Sequence, residues 1–439
     1  MTILKKTIQL KYQSGFRKYF ANTSWLLGER IFRMAVSLFV GIYVARYLGP
    51  ENYGLLSYAN SFVGIFVALA TLGLDDVVIR ELVKNPEQRE ELLGTSFLLK
   101  IVGAVLMWLV IILTVPFTNN DIQTNSFIMI ISLGVVFQAF NVIDFNFQAT
   151  VKSKYVVYAQ FVQLIVSSIV KLLLIINEAA LIWFVSVYCL DAIILALGLV
   201  LTYLHNSGKI FSWRWNFRVA KTLLSDSWPL MFAYMSYLIY AKIDRIMIKE
   251  MLEEYSVGIY SAAYVLYEAP LLISLMVAKS VYPLLVQYYR ENKKKLLNFY
   301  TILSSYMTLL SYLIVLFFYV FHDGLIQITF GNSFKDSSNI LMLLSIGLIP
   351  MFNAFLRSSY LTITGNQKII LYTTMLSAIL NIILNYFFIN IFEVVGAVYA
   401  TVLTQILSLI VLNIAFIETR VLFFIHAKSL SLIGIWGKI

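Results

Sequence analysis

The chain has 439 residues, 60% of them hydrophobic and only 13% charged, with a formal net charge of +10 and a mean hydropathy of +0.82. A soluble domain carries about 25% charged residues, so these proportions exclude a soluble globular protein, and no polar stretch is long enough to form a separate one. The positive excess fits positive-inside charge beside anionic headgroups rather than a nucleic-acid surface, and a single cysteine, Cys189, excludes an intrachain disulfide.

Residues 1–22 read as a basic cytoplasmic segment without the short apolar region and cleavage site of a signal peptide, so the first span is expected to stay as an anchor. Twelve apolar runs follow, at 23–47, 54–80, 92–116, 125–149, 155–177, 180–204, 222–247, 257–286, 298–321, 338–363, 369–390 and 394–418. Each is long enough to cross the hydrocarbon core as a helix, and none shows the short alternating segments of a membrane barrel. The tail 419–439 is too polar for a span and reads as a cytoplasmic or interfacial helix.

Charge in the loops alternates. The N-terminus and the even-numbered loops carry Lys5, Arg17, Arg80, Lys84, Arg89, Lys152, Lys154, Lys209, Arg214, Arg290, Lys293 and Lys368, whereas the opposite side holds only Arg46, Lys249 and Lys335. By the positive-inside rule both termini are expected to be cytoplasmic.

The two halves echo each other. Ser24-Trp25 opens the first span and Ser227-Trp228 the seventh; Gly54 to Ser57 opens the second and Gly258 to Ser261 the eighth. Thr150-x-x-x-Lys154-x-x-x-Tyr158 links spans four and five as Thr364-x-x-x-Lys368-x-x-x-Tyr372 links ten and eleven. Six spans per copy keep both copies in the same orientation, which predicts an all-α membrane protein of two parallel six-helix lobes around a central cavity. The lobes are 23–204 and 222–418, joined by a basic linker, 205–221.

Ionisable residues inside the spans are the candidate site. Each costs about 2.5–3.5 kcal/mol at a helix centre unless it pairs, snorkels or meets water. The cations Arg30, Arg33, Lys171, Lys242, Arg245, Lys279 and Arg357 are candidates for binding an anionic cargo; the carboxylates Glu29, Asp144, Asp191 and Glu268 are candidates for ion coupling. Glu29 and Arg33 are spaced to pair. Gln138, Asn141, Asp144 and Gln148 are expected on one stripe of span four, Gln160, Gln163, Ser167 and Lys171 on one of span five, and Thr401, Thr404, Gln405 and Ser408 on one of span twelve. On an unbroken span eight, Glu268 and Lys279 share a face ~16 Å apart; Pro270 is expected to weaken that span. The competing reading is that polar stripes glue helices together and that Lys242, Asp244, Arg245 and Arg357 snorkel to the nearest interface. Tyr234, Tyr237 and Tyr264 are candidates for stacking on sugar rings.

No phosphate-binding loop of the G-x-x-x-x-G-K-[ST] type is present and no room remains for a nucleotide-binding domain, so transport would be gradient-driven, with H+ or Na+. No cofactor or metal is expected, and His205, His322 and His426 read as solvated loop residues.

The run Ala45 to Leu55 (ARYLGPENYGL), Leu72 to Asp75 and Arg80-Glu81 resembles the N-terminal signature of bacterial polysaccharide flippases, of the multidrug/oligosaccharidyl-lipid/polysaccharide exporter superfamily. Asp244 to Ile248 (DRIMI), Val257 to Ala263 with Glu268, Thr364 to Lys368 (TGNQK), Asn381 with Asn385-Tyr386, and Gly396 to Thr401 (GAVYAT) are similar to its later signatures. The resemblance implies a V-shaped two-lobe transporter that moves undecaprenyl-diphosphate-linked oligosaccharide to the periplasmic leaflet by alternating access, for O-antigen, capsule or exopolysaccharide, alongside polysaccharide-assembly proteins and membrane lipids. A drug/cation antiporter of the same fold is the second reading, and a membrane glycan polymerase or ligase the third.

Overall fold

The computed structural model describes residues 32–206 and 208–432, and of residues 2–31 the helical backbone alone. Every regular element among the described residues is a helix, as a chain that must satisfy its backbone polar groups inside lipid requires. Helix α1 (Thr2–Thr71) is two spans joined at a bend where Gly49 (φ 72°, ψ 172°) precedes Pro50. The positive φ suits a residue without Cβ, and Pro at the next position restarts a helix without losing a bond. The second span breaks again at Leu72 and Gly73, both at positive φ, and ends as α2 (Asp75–Lys84). Then come α3 (Arg89–Thr114), α4 (Ile122–Val136), α5 (Val142–Ala149), α6 (Lys154–Ile176) and α7 (Leu181–His205). Asp121 caps α4 by accepting from Thr124 N at 2.8 Å, and the Thr124 hydrogen bonds hold this loop carboxyl below its usual range.

The second half runs through α8 (Phe217–Met251), α9 (Glu254–Glu268), α10 (Leu271–Glu291), α11 (Lys293–Thr329), α12 (Ser337–Ser345), α13 (Leu348–Met351), α14 (Ala354–Ile363), α15 (Gln367–Leu409) and α16 (Arg420–Leu430). Asn216 and Asn292 cap α8 and α11 through their side-chain oxygens. α15 is again two spans, bent at Glu393 (φ 53°, ψ −136°).

Among the described residues eight helical stretches are long and apolar enough to cross a membrane, nine with the pair Ser337–Ser345 and Leu348–Ile363, bent by 48°. Phe32–Lys84 and Gln367–Ile414 each double back at Gly49 and Glu393, and the charged α8 supplies a further span that apolarity alone does not count. The fold is therefore two six-helix lobes of about twelve spans around a central cavity. Side chains such as Phe39, Leu113, Ile176, Leu201, Phe321 and Ile391 are exposed outward, a surface that only lipid accommodates.

Spans four, eight and ten are interrupted, one of them at the expected proline. Span four has a 3-10 stretch at 137–141, so its four polar residues do not share one α-helical stripe. Span eight breaks at Ala269–Pro270, because Pro270 supplies no N–H, and span ten breaks between α12, α13 and α14.

Of the three histidines only His205 is exposed, and it ends α7 rather than lying in a loop. His322 lies within α11 with Nδ1 2.6 Å from Ser338 Oγ. His426 is buried on the tail helix α16, between Tyr300 Oη and the Leu409 carbonyl, each at 3.2 Å. α16 docks through Leu422, Ile425, His426 and Ser429, and Thr308 Oγ1 donates to Ser429 Oγ at 3.2 Å.

Candidate functional site

The central cavity is built from five helices whose inward residues recur at helical spacing. α1 contributes Arg33, Ser37, Gly41 and Val44, α6 Gln163, Ser167 and Lys171, and α7 Phe184, Tyr188 and Asp191 around a cavity of about 240 Å³ in the first lobe. A second cavity of about 400 Å³ abuts it, sharing Tyr53, Leu56 and Tyr188. Its other walls are Ser57 and Asn60 of α1, Tyr237, Lys242 and Arg245 of α8, and Ser261, Tyr264 and Glu268 of α9. The two cavities together present four cations, Arg33, Lys171, Lys242 and Arg245, against two carboxylates, Asp191 and Glu268.

Three of these cations are held differently. Lys171 Nζ lies 3.5 Å from Asp191 Oδ2. The Arg245 guanidinium stacks over the Tyr264 ring at 4.4 Å and its Nε donates to Ser261 Oγ at 3.2 Å. That arrangement offsets desolvation through the ring quadrupole rather than a counter-ion. Lys242 crosses α1 at Gly64, where an added Cβ would lie 2.6 Å from its Cε. Lys242 and Arg245 therefore do not snorkel to an interface; both are half-buried and line the cavity. Of the tyrosines proposed for stacking, Tyr237 and Tyr264 line it, while Tyr234 stacks on Tyr237 with centroids 6.4 Å apart.

Other candidates lie elsewhere. Arg357 is buried, not snorkelled: its Nε donates to Asn413 Oδ1 at 2.8 Å and its Nη2 reaches Thr373 Oγ1 at 3.5 Å. Lys279 is exposed on α10, beyond the break after Glu268, and is not among the lining residues of the central cavity. Asp144 is half-buried on α5, in the electrostatic neighbourhood of Asp75, Lys100 and Arg33. The side chains of Glu29 and Arg30 lie outside the described residues.

Two buried charges were not singled out from sequence as site residues. Asp244, grouped there with the snorkelling residues, accepts from Tyr260 Oη at 2.7 Å and Thr401 Oγ1 at 2.8 Å on one oxygen, and from Asn385 Nδ2 at 2.7 Å on the other. Beside it Asn381 has both amide atoms buried without a partner, as has Asn385 its Oδ1. Three of these residues, Asn381, Asn385 and Thr401, belong to the C-terminal motifs, which was the available signal. In span twelve Thr401 and Gln405 act between helices, Gln405 accepting from Tyr267 Oη at 3.1 Å, so the gluing reading holds there. Lys100 is 2% exposed, pairs with Asp75 Oδ1 at 2.9 Å and sits 4.6 Å over the Phe145 ring. A lone lysine in an apolar run of α3 was the signal for it. Among the described residues no group of His, Cys, Asp and Glu is arranged to hold a metal.

Comparison with known proteins gives a consistent picture. A family profile described as polysaccharide biosynthesis protein matches residues 19–289, and one described as MatE matches residues 229–387. The chain is 24% identical to the probable low-salt glycan biosynthesis flippase Agl15 of Haloferax volcanii over 83% of this chain and 77% of that protein. Among solved structures, an inward-facing multidrug resistance MATE transporter of the MOP superfamily superposes with a TM-score of 0.72 at 14% identity, covering 90% of this chain and 96% of that one. The lipid II flippase MurJ in an inward closed conformation gives 0.69 at 15% identity, covering 94% and 92%.

Proposed function

Because the chain belongs to the polysaccharide biosynthesis protein family and has the fold of the MOP superfamily, we propose that it is a secondary transporter, not an enzyme, that flips a lipid-linked glycan across the membrane by alternating access. In its finer form the cargo is an undecaprenyl-diphosphate-linked oligosaccharide repeat unit, moved from the cytoplasmic to the periplasmic leaflet of a bacterial inner membrane for O-antigen, capsule or exopolysaccharide assembly. The observation that carries this reading is the pair of abutting cavities with four cations and two carboxylates. A diphosphate is the part of such a cargo that most needs protein charge inside the bilayer. Arg33 and Arg245 offer planar donor forks and Lys171 and Lys242 point charges, while Tyr237 and Tyr264 offer ring faces to the sugars. A cationic drug would meet repulsion in the same place.

Deletion of the gene, followed by separation of undecaprenyl-linked glycans in right-side-out vesicles, tests the assignment. Repeat units should accumulate where an externally added glycosidase cannot reach them. Normal surface glycan with no accumulation removes it. Roles for Arg30, Lys279 and Arg357 in binding, and for Glu29, Asp144, Asp191 and Glu268 in coupling, belong to the same proposal and are tested by neutralising each in turn.

For the coupling ion we favour Na+ over H+. Asp244, Thr401 and the unpartnered side-chain oxygens of Asn381 and Asn385 are the hard oxygen donors that a small cation takes. Asp244→Asn should abolish any sodium dependence of transport while Glu268→Gln retains it; the reverse result assigns coupling to Glu268.

A further inference from the structure

A third cavity lies away from the central one, on the face that carries Lys84, Lys152 and Lys209. It has a volume of about 70 Å³ and is lined by Arg89, Asn146, Phe147, Thr150, Lys152, Tyr203 and Asn206, with no carboxylate among them. Asn146, Phe147 and Tyr203 are buried and form its floor, while Thr150 and Lys152 are exposed at its rim. Arg89 is fixed in the wall: its Nε donates to Asn146 Oδ1 at 2.7 Å and its Nη2 to Tyr203 Oη at 3.3 Å. Tyr203 Oη also accepts from Trp213 Nε1 at 3.2 Å, so its own proton is left to donate. Among the described residues neither Arg89 nor Lys152 forms an ion pair.

The turn that delivers Lys152 is strained. Thr150, Val151 and Lys152 donate backward to Asn146, Gln148 and Phe147, and Thr364, Gly365 and Asn366 repeat the pattern in the second lobe with Tyr360, Thr362 and Leu361. The central position has φ 75° at Gly365 but φ 56° at Val151. A β-branched residue is an outlier there. The first lobe therefore makes with strain the turn that the second makes with glycine, and it places Lys152 on the pocket where the second copy has Asn366. Strain retained at one copy of a repeat points to a local function.

We propose that this pocket binds a single phosphate group presented at the basic face, either the headgroup phosphate of an anionic phospholipid or the phosphate of a soluble ion or ester. Two cations and the phenol proton match the oxygens of a tetrahedral anion through charge-assisted hydrogen bonds, and the volume has no room for a glycan. The site is separate from the transport cavity and does not depend on the cargo assignment.

The test uses the full-length protein in nanodiscs of phosphatidylcholine, titrated with inorganic phosphate against chloride at equal ionic strength while the thermal unfolding midpoint is read. Phosphate should raise the midpoint saturably. Lys152→Gln, at a rim position whose side chain makes no hydrogen bond or ion pair among the described residues, should raise the half-saturating concentration at least about tenfold. Arg89→Lys, which keeps the charge and loses the fork, should weaken binding too, and Lys368→Gln, exposed on the matching turn of the second lobe and lining none of the three cavities, should leave it unchanged. In a second arm phosphatidylglycerol replaces part of the phosphatidylcholine. If it raises the midpoint and removes the response to free phosphate, the occupant is a lipid headgroup; if the response to free phosphate persists, it is a soluble phosphate. A midpoint indifferent to both, or equally responsive in the Lys152→Gln protein, overturns the proposal.

Discussion

Gly54 and Gly258, matched by the internal repeat, touch each other's segments across the interface between the lobes. A Cβ on Gly54 would overlap the carbonyl oxygen of Glu254, and one on Gly258 would overlap that of Pro50. The contact is reciprocal, as a pseudo-two-fold relation between duplicated halves requires. It lies at the start of α9, while the cavity runs along α9 from Ser261 to Glu268, ~10 Å further along the helix. Tyr58 Oη donating to Glu250 Oε1 at 2.8 Å and Asn119 N donating to Glu250 Oε2 at 3.1 Å reinforce the same end.

Gly54→Ala or Gly258→Ala should therefore keep that end from closing, because the obstructing atoms are backbone and cannot rotate aside. In a Cys189→Ser background with Ser57→Cys as reporter, a membrane-impermeant maleimide added on the side opposite the basic loops should label the alanine variants faster than the parent. Equal labelling would show that the lobes separate there without help.

Arg245 and Lys279 should differ. Arg245→Ala removes a cavity cation held by Tyr264 and Ser261, and export of finished glycan at normal protein level should fall by about tenfold or more, the loss expected for one charge-assisted contact. Lys279→Ala, on an exposed stretch of α10, should have a smaller effect. Equal losses in an export assay would move the cargo path toward α10.

The Lys100–Asp75 pair should respond asymmetrically. Lys100 is 2% exposed and the Asp75 side chain 52%. Asp75→Ala strands a buried cation and should cost ~3 kcal/mol or more. Lys100→Met fills the space with an apolar chain while Asp75 rehydrates, and should cost under ~1 kcal/mol. Midpoints of heat- or denaturant-induced unfolding in detergent test the order, and a larger loss for Lys100→Met would contradict it.

Docking of α16 should depend on pH. Burial pushes the His426 imidazole down to about 4, with the Leu409 carbonyl opposing the shift and Arg357 adding to it. The docked state holds the ring neutral while the undocked ring takes up a proton near its ordinary 6.5. Docking is therefore at full strength above about pH 6.5 and weakens as pH falls toward 4, by up to ~3 kcal/mol. Hydrogen exchange over 420–430 should rise between pH 7 and pH 5 after correction for intrinsic rates, and His426→Gln should flatten the change. A flat profile in the parent would mean that α16 stays docked when the ring is charged.

Hydropathy and loop charge are local quantities, and they were enough to number and orient the spans, while the repeated short motifs predicted two lobes. Span length follows from bilayer thickness, and no distant contact can alter it. Helix breaks were harder to read. Pro270 announced one and Gly73 marks the break beside the left-handed Leu72, but the 3-10 stretch at 137–141 contains no glycine or proline to announce it.

The site divides along the same line. Composition and helical spacing identified Arg33, Lys171, Asp191, Lys242, Arg245 and Glu268 as charges that lipid would not tolerate, and a one-dimensional pattern suffices for that because desolvation acts on each residue singly. Which of those charges meet was decided by the crossing of α1, α6, α7, α8 and α9, which gathered these six and left Arg357 and Lys279 outside. The same crossing turned Asp244 inward to Tyr260, Asn385 and Thr401, and brought Gly54 against the segment of Gly258. These are contacts between residues far apart in the chain, and their geometry exists only once the helices have packed.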